Sequence, residues 1–422
     1  MKKTWLTFEL WVVVLTGLWM FLIPFGKGEK IPVMMLALFG LFKLIQTRGA
    51  ITKTIASKTF LFWVALYLVP ILLSMPDAPS IHNPLKVFCT GCGSALAGLA
   101  VIHACTTRHV LERITWILAS VIGFWIFDAA VQAVFHVDLF GLSWEMGRLS
   151  GPFLKKTQMG YYSGPFSAIL LMFTLQKNWK PVWQWGLFLF TSIIVVLNNS
   201  RGGWIMYAVV SAVFIWKTLI APRKHKIAFC SVTALLGAVL LTGLYTTSAT
   251  FQARADQSLM ALRGGKQNID QALTYRLQLW EAAWGVISDH PINGVGARNF
   301  RITGEAYWPD DYDDTDINTS YPHQFIMEYW LGTGLIGLAG WFITAGLCVY
   351  RWYRASPDQK NVALGYGVTL LALYFPLNTH KAYYSSEMSI SIWILLALYS
   401  AAILQISDEP QGTRTRSAGE IS

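Results

Sequence analysis

Long apolar runs, separated by short polar segments, set the limits on what this chain can fold into. A helix needs about 20 mostly apolar residues to cross the hydrocarbon core of a bilayer. Twelve runs come close to that length, at about 7–25, 31–47, 59–76, 86–105, 114–135, 160–176, 183–199, 203–217, 227–246, 325–350, 362–379 and 386–406. Because backbone polar groups in lipid must pair internally, such runs become helices. The pattern predicts an all-α polytopic membrane protein, a single integral membrane domain over 1–422 with about twelve transmembrane helices.

The composition agrees with a membrane protein. Only 13% of the residues are charged, against roughly 25% in a typical soluble domain. The 19 tryptophans suit the headgroup regions, where indole rings collect. The net charge of +10 favours anionic lipid surfaces and anionic substrates. Because the cations are scattered between apolar runs, the sequence favours membrane lipid as a partner and argues against nucleic acid.

One long polar segment, residues 247–323, interrupts the apolar runs between the ninth and the tenth. Cytoplasmic short loops carry an excess of Lys and Arg, and this bias sets the orientation of a membrane protein. With the N-terminus inside, the short inner segments carry eighteen Lys and Arg, and the short outer segments carry eight. The sequence therefore predicts that both termini are cytoplasmic and that the 247–323 segment lies on the outer side.

The first half of this outer segment has the pattern of an amphipathic helix over 268–289. Its apolar residues recur at helical spacing and form one stripe. Arg276 falls on the apolar side of that stripe, where a merely solvated arginine is not expected. The residues of the stripe are Ile269, Leu273, Leu277, Trp280, Trp284 and Ile287.

The second half of the segment starts with a helix stop. His290-Pro291 ends the amphipathic pattern, and Gly294-Val295-Gly296 predicts a tight turn. A short second helix is expected over 297–301. Its two cations, Arg298 and Arg301, are three residues apart and would share one face.

A first candidate site is Ser200-Arg201-Gly202-Gly203, at the outer end between the seventh and eighth runs. Its glycines predict a sharp turn that brings backbone N–H groups towards an anion. The alternative is an interfacial arginine that extends to lipid phosphates. Arg148, Lys155, Lys156 and Arg201 all lie on the outer side, against the charge bias, which indicates that something other than topology keeps them there.

The outer segment supplies a second candidate site in Arg276, Arg298 and Arg301. Guanidinium groups bind phosphate oxygens in bidentate fashion and keep their charge. Several of them converging on one diphosphate would stabilise the charge that develops as it departs. The alternative is a set of ordinary ion pairs with the acidic residues of the same segment, which are Asp270, Glu281, Asp289 and Glu305.

His323 is the candidate base. Histidine is the side chain best suited to accept a proton near neutral pH, and His323 stands where the tenth apolar run begins. A helix N-terminus favours the neutral imidazole that a base requires. The alternative is a capping or interfacial histidine with no chemical role.

Two other polar clusters are weaker candidates. The acidic run Asp310–Asp316 lacks the glycine and the distal glutamate of a calcium loop, so we interpret it as a solvated acidic rim. His380-Lys381, with Tyr383 and Tyr384, would lie on the outer side and could line the same cavity. No phosphate-binding GxxxxGK[ST] motif occurs in the chain, so nothing indicates nucleotide hydrolysis.

The order of these motifs resembles a known family. Ser200-Arg-Gly-Gly is followed by Tyr275-Arg276-Leu-Gln-Leu-Trp280-Glu-Ala-Ala and by His290-Pro-Ile-Asn-Gly-Val-Gly. The series closes on His323-Gln-Phe-Ile-Met-Glu-Tyr-Trp-Leu-Gly-Thr-Gly-Leu-Ile-Gly. This series is similar to the O-antigen ligase and polymerase superfamily of bacterial envelopes. The similarity covers about 190–345, and the flanking helices agree mainly in number and topology.

The resemblance implies an inner-membrane glycosyltransferase with a periplasmic active site. Its donor would be an O-antigen polysaccharide on undecaprenyl diphosphate, and the ligase branch transfers that chain to a sugar hydroxyl of lipid A–core without a nucleotide, a metal or another cofactor. By position, His323 matches the family's loop-end histidine, and Arg201 and Arg276 match its motif arginines. Weaker correspondences extend the diphosphate-binding set to Arg148, Arg254, Arg298 and Arg301.

Three alternatives remain open at this point. An O-antigen polymerase shares the donor chemistry and uses a second lipid-linked glycan as acceptor. A transporter of lipid-linked or anionic glycans belongs to another class, and it should carry broken helices in pairs or charges near the bilayer midplane. A purely structural partner in an envelope complex would leave the outer arginines without a purpose.

Overall fold

The structure, a computed structural model, describes residues 7–144, 148–155, 158–221, 249–274, 276–308, 320–375 and 382–405, with a few isolated positions between 231 and 246. Within these ranges the regular elements are helical, which confirms the all-α prediction. The α-helices in chain order are α1 Phe8–Leu22, α2 Lys30–Gln46, α3 Ile55–Leu73, α4 His82–Ala104, α5 Arg108–Phe135, α6 Gln158–Gln176, α7 Pro181–Leu197, α8 Arg201–Ile215, α9 Ala249–Leu259, α10 Lys266–Ala272, α11 Leu277–Asp289, α12 Phe300–Thr303, α13 Phe325–Arg354, α14 Pro357–Leu373 and α15 Ser386–Leu404.

Eleven of the twelve predicted apolar runs coincide with these helices, and the run at 227–246 lies mostly outside the described residues. Seven helical stretches of the described part are long and apolar enough to cross a bilayer. The protein is therefore a multi-pass membrane protein. The count of twelve spans, their orientation and the single domain over 1–422 stay predictions. The seven stretches are Phe8–Phe25, Ile55–Leu73, His82–Ala104, Arg108–Phe135, Arg201–Ile220, Phe325–Arg354 and Ser386–Leu404.

The helices pack around α15, the most enclosed of the apolar spans. α3, α4 and α14 lie against it, and one continuous apolar core extends from α1 to α15. A smaller apolar core lies in the outer segment, between α11, Val295 and Phe300, and it meets α13 at Leu331. The outer segment thus folds as a packed layer on the helix bundle.

α6 and α8 cross at the closest helix contact near the outer segment. A Cβ atom at Gly203 would lie 2.6 Å from the carbonyl oxygen of Gly160, and one at Gly164 would lie 2.7 Å from the carbonyl oxygen of Gly203. Small residues at a membrane-helix crossing let the two backbones approach. This crossing fixes the N-terminal turn of α8, and Arg201 with it, against α6.

The outer segment departs from the predicted single helix over 268–289. α10 ends at Ala272, Thr274 adopts a positive φ of 64°, and α11 starts after Arg276. The Asp270 carboxylate accepts the Leu277 N–H at 2.8 Å and so caps the start of α11. The break changes the phase of the stripe, so Trp284 is 53% exposed. The buried face of α11 is instead formed by Leu279, Ala282, Ala283, Val286 and Ile287.

α13 is interrupted at Gly334, where φ is 64° and ψ is −169°. The loop at 291–295 pairs with the interruption: the Leu335 N–H donates to the Pro291 carbonyl at 2.9 Å, and the Val295 N–H donates to the Leu331 carbonyl at 2.9 Å. The predicted turn at Gly294-Val295-Gly296 is confirmed, with φ of 68° and 85° at its glycines. Backbone groups released by the broken helix therefore find partners in the outer segment, as a low-dielectric environment requires.

We expect Gly334→Ala to destabilise the protein, because the new Cβ would lie 1.8 Å from the Ile292 carbonyl oxygen. The loss should exceed the roughly 1–3 kcal/mol that a strained backbone costs alone. Thermal unfolding of the detergent-solubilised protein measures it. Gly346→Ala, in the same helix and with nothing within 4 Å of its Cβ position, is the matched control and should leave the Tm unchanged or raise it. Equal Tm values for the two variants would contradict the interlocked backbone.

Candidate functional site

Arg201 is the first residue of α8, and its side chain joins the bundle to the outer segment. Ser200 caps the helix by accepting the Gly203 N–H at 3.2 Å. The Arg201 guanidinium donates to the Ala272 carbonyl at 2.7 Å, and it also hydrogen-bonds Thr274. The prediction of a sharp turn at the glycines is wrong. Gly202 and Gly203 are buried within α8, and Gly203 lets the backbones of α8 and α6 approach each other.

Arg148 lies on the connection between α5 and α6, and that connection is fixed from two sides. The buried Gln132 side chain accepts the Ser150 N–H at 2.8 Å and the Gly151 N–H at 3.0 Å. From the end of α7, the Asn198 amide donates to the Leu149 carbonyl. These contacts hold the backbone on either side of Leu149 in place, so Arg148 starts from a fixed backbone.

Arg254 and Arg276 come from the outer segment. Arg254 lies on α9 and contacts the Gln257 side chain at 3.4 Å; Gln257 in turn donates to the Gln271 carbonyl at 3.1 Å. Arg276 occupies the position before α11, directly after the break between α10 and α11. The position of Arg276 therefore depends on the break between α10 and α11, and a continuous helix would place this residue differently.

Four arginines form a group that we call the arginine cluster: Arg148, Arg201, Arg254 and Arg276. The Arg201 guanidinium lies within electrostatic range of the other three, and all four side chains are half-buried. Burial lowers the pKa of Arg276, and burial together with the charge of Arg254 lowers the pKa of Arg148. Four positively charged guanidinium groups therefore lie close together and partly shielded from solvent. Such an arrangement favours the binding of an anion.

The predicted ion-pair alternative does not account for the arginine cluster. Among the described residues, no carboxylate lies within ion-pair distance of its four guanidinium groups. The acidic residues weighed for that role have other contacts: Asp270 caps α11, Glu281 pairs with Lys266 at 3.0 Å, and Asp289 bonds the Tyr307 hydroxyl. The positive charge of the cluster is therefore uncompensated within the described part of the chain.

Two tyrosines connect the arginine cluster to His323. Tyr161, on α6, acts electrostatically on both Arg148 and Arg276. Tyr321 acts on Arg276, and its ring centroid lies 4.0 Å from that of His323. Burial raises the pKa of Tyr321, so its hydroxyl stays neutral. Tyr321 therefore lies near both Arg276 and His323, and Arg276 in turn lies near Arg201.

His323 is positioned from both sides along the chain. The Trp280 indole N–H of α11 donates to the Pro322 carbonyl at 2.9 Å. The Gln324 side chain caps α13 by accepting the Met327 N–H at 2.7 Å. His323 itself adopts a positive φ of 53°, an uncommon conformation for a side-chain-bearing residue. Strained backbone of this kind is concentrated at functional sites.

The other predicted cations do not join the arginine cluster. Arg298 is exposed with φ of 67° and lies outside the short helix α12, which begins at Phe300, later than predicted. Its charge acts on Glu328, and Arg301 is exposed. Neither is among the charges that act on Arg201 or Arg276.

Some predictions fall on residues outside those the structure describes. The acidic run Asp310–Asp316, Lys156 and the pair His380-Lys381 belong to this group. Within the described ranges, no three His, Cys, Asp or Glu side chains come together in a way that could hold a metal ion.

Comparison with known proteins gives a similarity to one family. Residues 186–342 match the sequence model of the family described as O-antigen ligase. The match covers less than half of the 422 residues, and over that stretch the chain is similar to this family. No curated protein matches the chain. The matched stretch runs from α7 into α13 and holds Arg201, Arg254, Arg276 and His323, whereas Arg148 joins them from outside it.

Two residues of the candidate site are not indicated by any motif in the sequence. Tyr321 lies two residues before His323, so closeness in the chain is a signal for it. Tyr161 follows Gly160 at the α6–α8 crossing, and no spacing in the sequence connects it with Arg276, more than a hundred residues later. Only the packing of α6 against α8 brings it to the arginine cluster.

The arginine cluster predicts binding of inorganic pyrophosphate to the purified protein. We expect Arg276→Gln to weaken it about tenfold or more, the usual effect of losing a hydrogen bond to a charged group. Titration calorimetry at two salt concentrations measures the affinity and its screening. Arg263→Gln, at an exposed position of the same outer segment, is the matched control and should bind as the unmodified protein does. Equal weakening by both substitutions would mean that only net charge matters.

Proposed function

We propose that this protein is an O-antigen ligase, an inverting glycosyltransferase. It would move O-antigen polysaccharide from undecaprenyl diphosphate to a sugar hydroxyl of lipid A–core. The observation that carries the proposal is the uncompensated arginine cluster, linked through Tyr321 to His323, within a superfamily that uses lipid-linked glycans. Nothing else in the described part of the chain combines anion binding with a histidine base at the end of an apolar helix.

The arginine cluster is the proposed grip on the donor diphosphate. Arg201 and Arg276 are its central members, and Arg148 and Arg254 extend it. As the bond between the anomeric carbon and the diphosphate breaks, negative charge grows on the leaving phosphate. Guanidinium groups already held in place stabilise that charge without reorganisation, and the loss of one such contact typically costs about 10²–10³ in rate. Arg298 and Arg301 have no part in this grip.

His323 is the proposed base. Its imidazole would accept the proton of the acceptor hydroxyl as the oxygen attacks the anomeric carbon, and the diphosphate leaves from the opposite side. Direct displacement inverts the configuration and requires one base, so no pair of carboxylates is needed. A polyprenyl diphosphate is a good leaving group, and for this reason the proposed reaction uses no nucleotide and no metal.

The proposed location is the bacterial inner membrane, with both termini cytoplasmic and the site facing the periplasm. The charge bias of the short segments supports this orientation. In this orientation the outer segment faces the outer leaflet. The lipid-linked donor and the lipid A–core acceptor can both reach it there.

Ligase and polymerase activities share the donor half of this mechanism, and the polymerase remains the second candidate. The transporter alternative is weaker. The described structure has one interrupted spanning helix, α13, and its interruption is filled by the 291–295 loop instead of lining an open path. The arginine cluster also lies at the helix-end level of α8, whereas a transporter is expected to carry charges near the midplane.

We expect His323→Ala to lower transfer by about 10²–10⁴, the range for loss of a general base. The assay uses purified protein, lipid-linked donor and rough lipopolysaccharide, with and without a chelator. Pyrophosphate binding by the variant should be retained, because the arginine cluster is intact. His109→Ala, an exposed histidine elsewhere, is the control and should transfer normally. Near-normal transfer by folded His323→Ala protein would remove the assigned base, and loss of activity in chelator would remove metal independence.

A competition between acceptors separates the two enzyme candidates. The purified protein is given the same labelled donor with rough lipopolysaccharide in one arm and a second lipid-linked glycan in the other. A ligase should label only the lipopolysaccharide. Sugar gained by the lipid-linked glycan instead would assign the polymerase activity, and accumulation of donor inside sealed vesicles without transfer would assign transport.

A further inference from the structure

Glu328 is a buried carboxylate that has no role in the proposed diphosphate binding by the arginine cluster or in the proposed proton transfer to His323. It lies in the first part of α13, five residues after His323, and is 6% exposed. Each of its oxygens accepts one backbone N–H: Oε2 from Tyr383 at 2.8 Å and Oε1 from Tyr384 at 3.1 Å. One carboxylate thus holds two successive amides of the connection between α14 and α15.

The same connection reaches Tyr321. The amide of Ala382, directly before the two amides held by Glu328, hydrogen-bonds the Tyr321 hydroxyl. The ring of Tyr321 lies against His323, with centroids 4.0 Å apart. Three consecutive backbone N–H groups, at 382, 383 and 384, are therefore bound by two residues that flank His323 in sequence.

Packing alone does not require a carboxylate at this position. Burial of an ionisable group in a membrane helix is costly, and such groups usually serve function. The neighbouring side chains already fix the connection by apolar and hydroxyl contacts: the Tyr383 ring lies 4.4 Å from that of Tyr329, and the Tyr384 hydroxyl bonds Thr333 at 3.0 Å. The particular contribution of Glu328 is to hold the backbone amides of the turn, whose first amide binds Tyr321.

We propose that Glu328 is a positioning residue of this site. Through the turn at 382–385 it fixes the Tyr321 hydroxyl, and the Tyr321 ring then holds the imidazole of His323 in the orientation that accepts a proton. Glu328 acts without touching the substrate. The inference rests on the proposed role of His323 as the base.

A double-mutant cycle between Glu328 and Tyr321 tests the proposal. In Glu328→Gln the side chain keeps its size but only one oxygen, so one buried N–H loses its acceptor. Tyr321→Phe keeps the ring against His323 and removes the acceptor of the Ala382 N–H. Each variant should lower kcat about tenfold, in the range for an unsatisfied buried group, and leave KM for the donor and pyrophosphate affinity unchanged. The double variant should also be about tenfold slower, because the two residues act through one turn.

The controls separate positioning from stability. Glu112→Gln removes a carboxylate at the far end of the bundle, where it pairs with Arg108 and Lys177, and should leave kcat unchanged. If Glu328→Gln does not fold, Tyr321→Phe with the carboxylate intact decides the matter, and an unchanged kcat in it overturns the proposal. Independent effects that multiply to about a hundredfold, or a loss confined to KM, also overturn it.

The outcome is distinguishable from failure of the proposed function. If His323→Ala is inactive and Glu328→Gln transfers at the normal rate, the base stands and the positioning role fails. If His323→Ala transfers normally, the base assignment fails first, whatever Glu328 does.

Discussion

The interruption of α13 is the constraint on which the rest of the site depends. A helix broken at Gly334 releases backbone N–H and carbonyl groups, and the 291–295 loop supplies their partners through Pro291 and Val295. That pairing anchors the end of α11 to the bundle. α11 then orients Arg276 at its start and, through Trp280, the chain at Pro322 that leads to His323. Backbone hydrogen bonds between the 291–295 loop and α13 therefore help to position the outer segment on the bundle.

The second physical theme is charge held without compensation. Arg148, Arg201, Arg254 and Arg276 come from four separate parts of the chain, and the charges of the other three act on Arg201. Mutual repulsion and partial burial make this arrangement unfavourable for the unliganded protein. An anionic ligand would relieve both terms at once, and this supports the proposed selectivity for a diphosphate over a neutral lipid.

The sequence predicted the elements well and their junctions poorly. Apolar length alone located eleven helices, because lipid leaves a chain few alternatives. The stripe over 268–289 predicts one helix because Leu273 and Leu277 keep the period across a break that Thr274 and the Asp270 cap create. The glycines after Arg201 were assigned to an anion-binding turn, since a sequence does not show that Gly160 lies opposite Gly203.

The sequence by itself determined the class of the molecule and its family motifs, and it supplied Arg201, Arg276 and His323 as the candidates, because hydrophobicity and charged chemistry are properties of single residues. The tertiary structure alone decided which cations converge. It brought Arg148 and Tyr161 to the cluster, and it left Arg298 and Arg301 exposed outside it. It also connected Glu328 with residues 382–384, across more than fifty positions of chain. Such convergence depends on helix crossings and on the break in α13, which arise from contacts between distant residues.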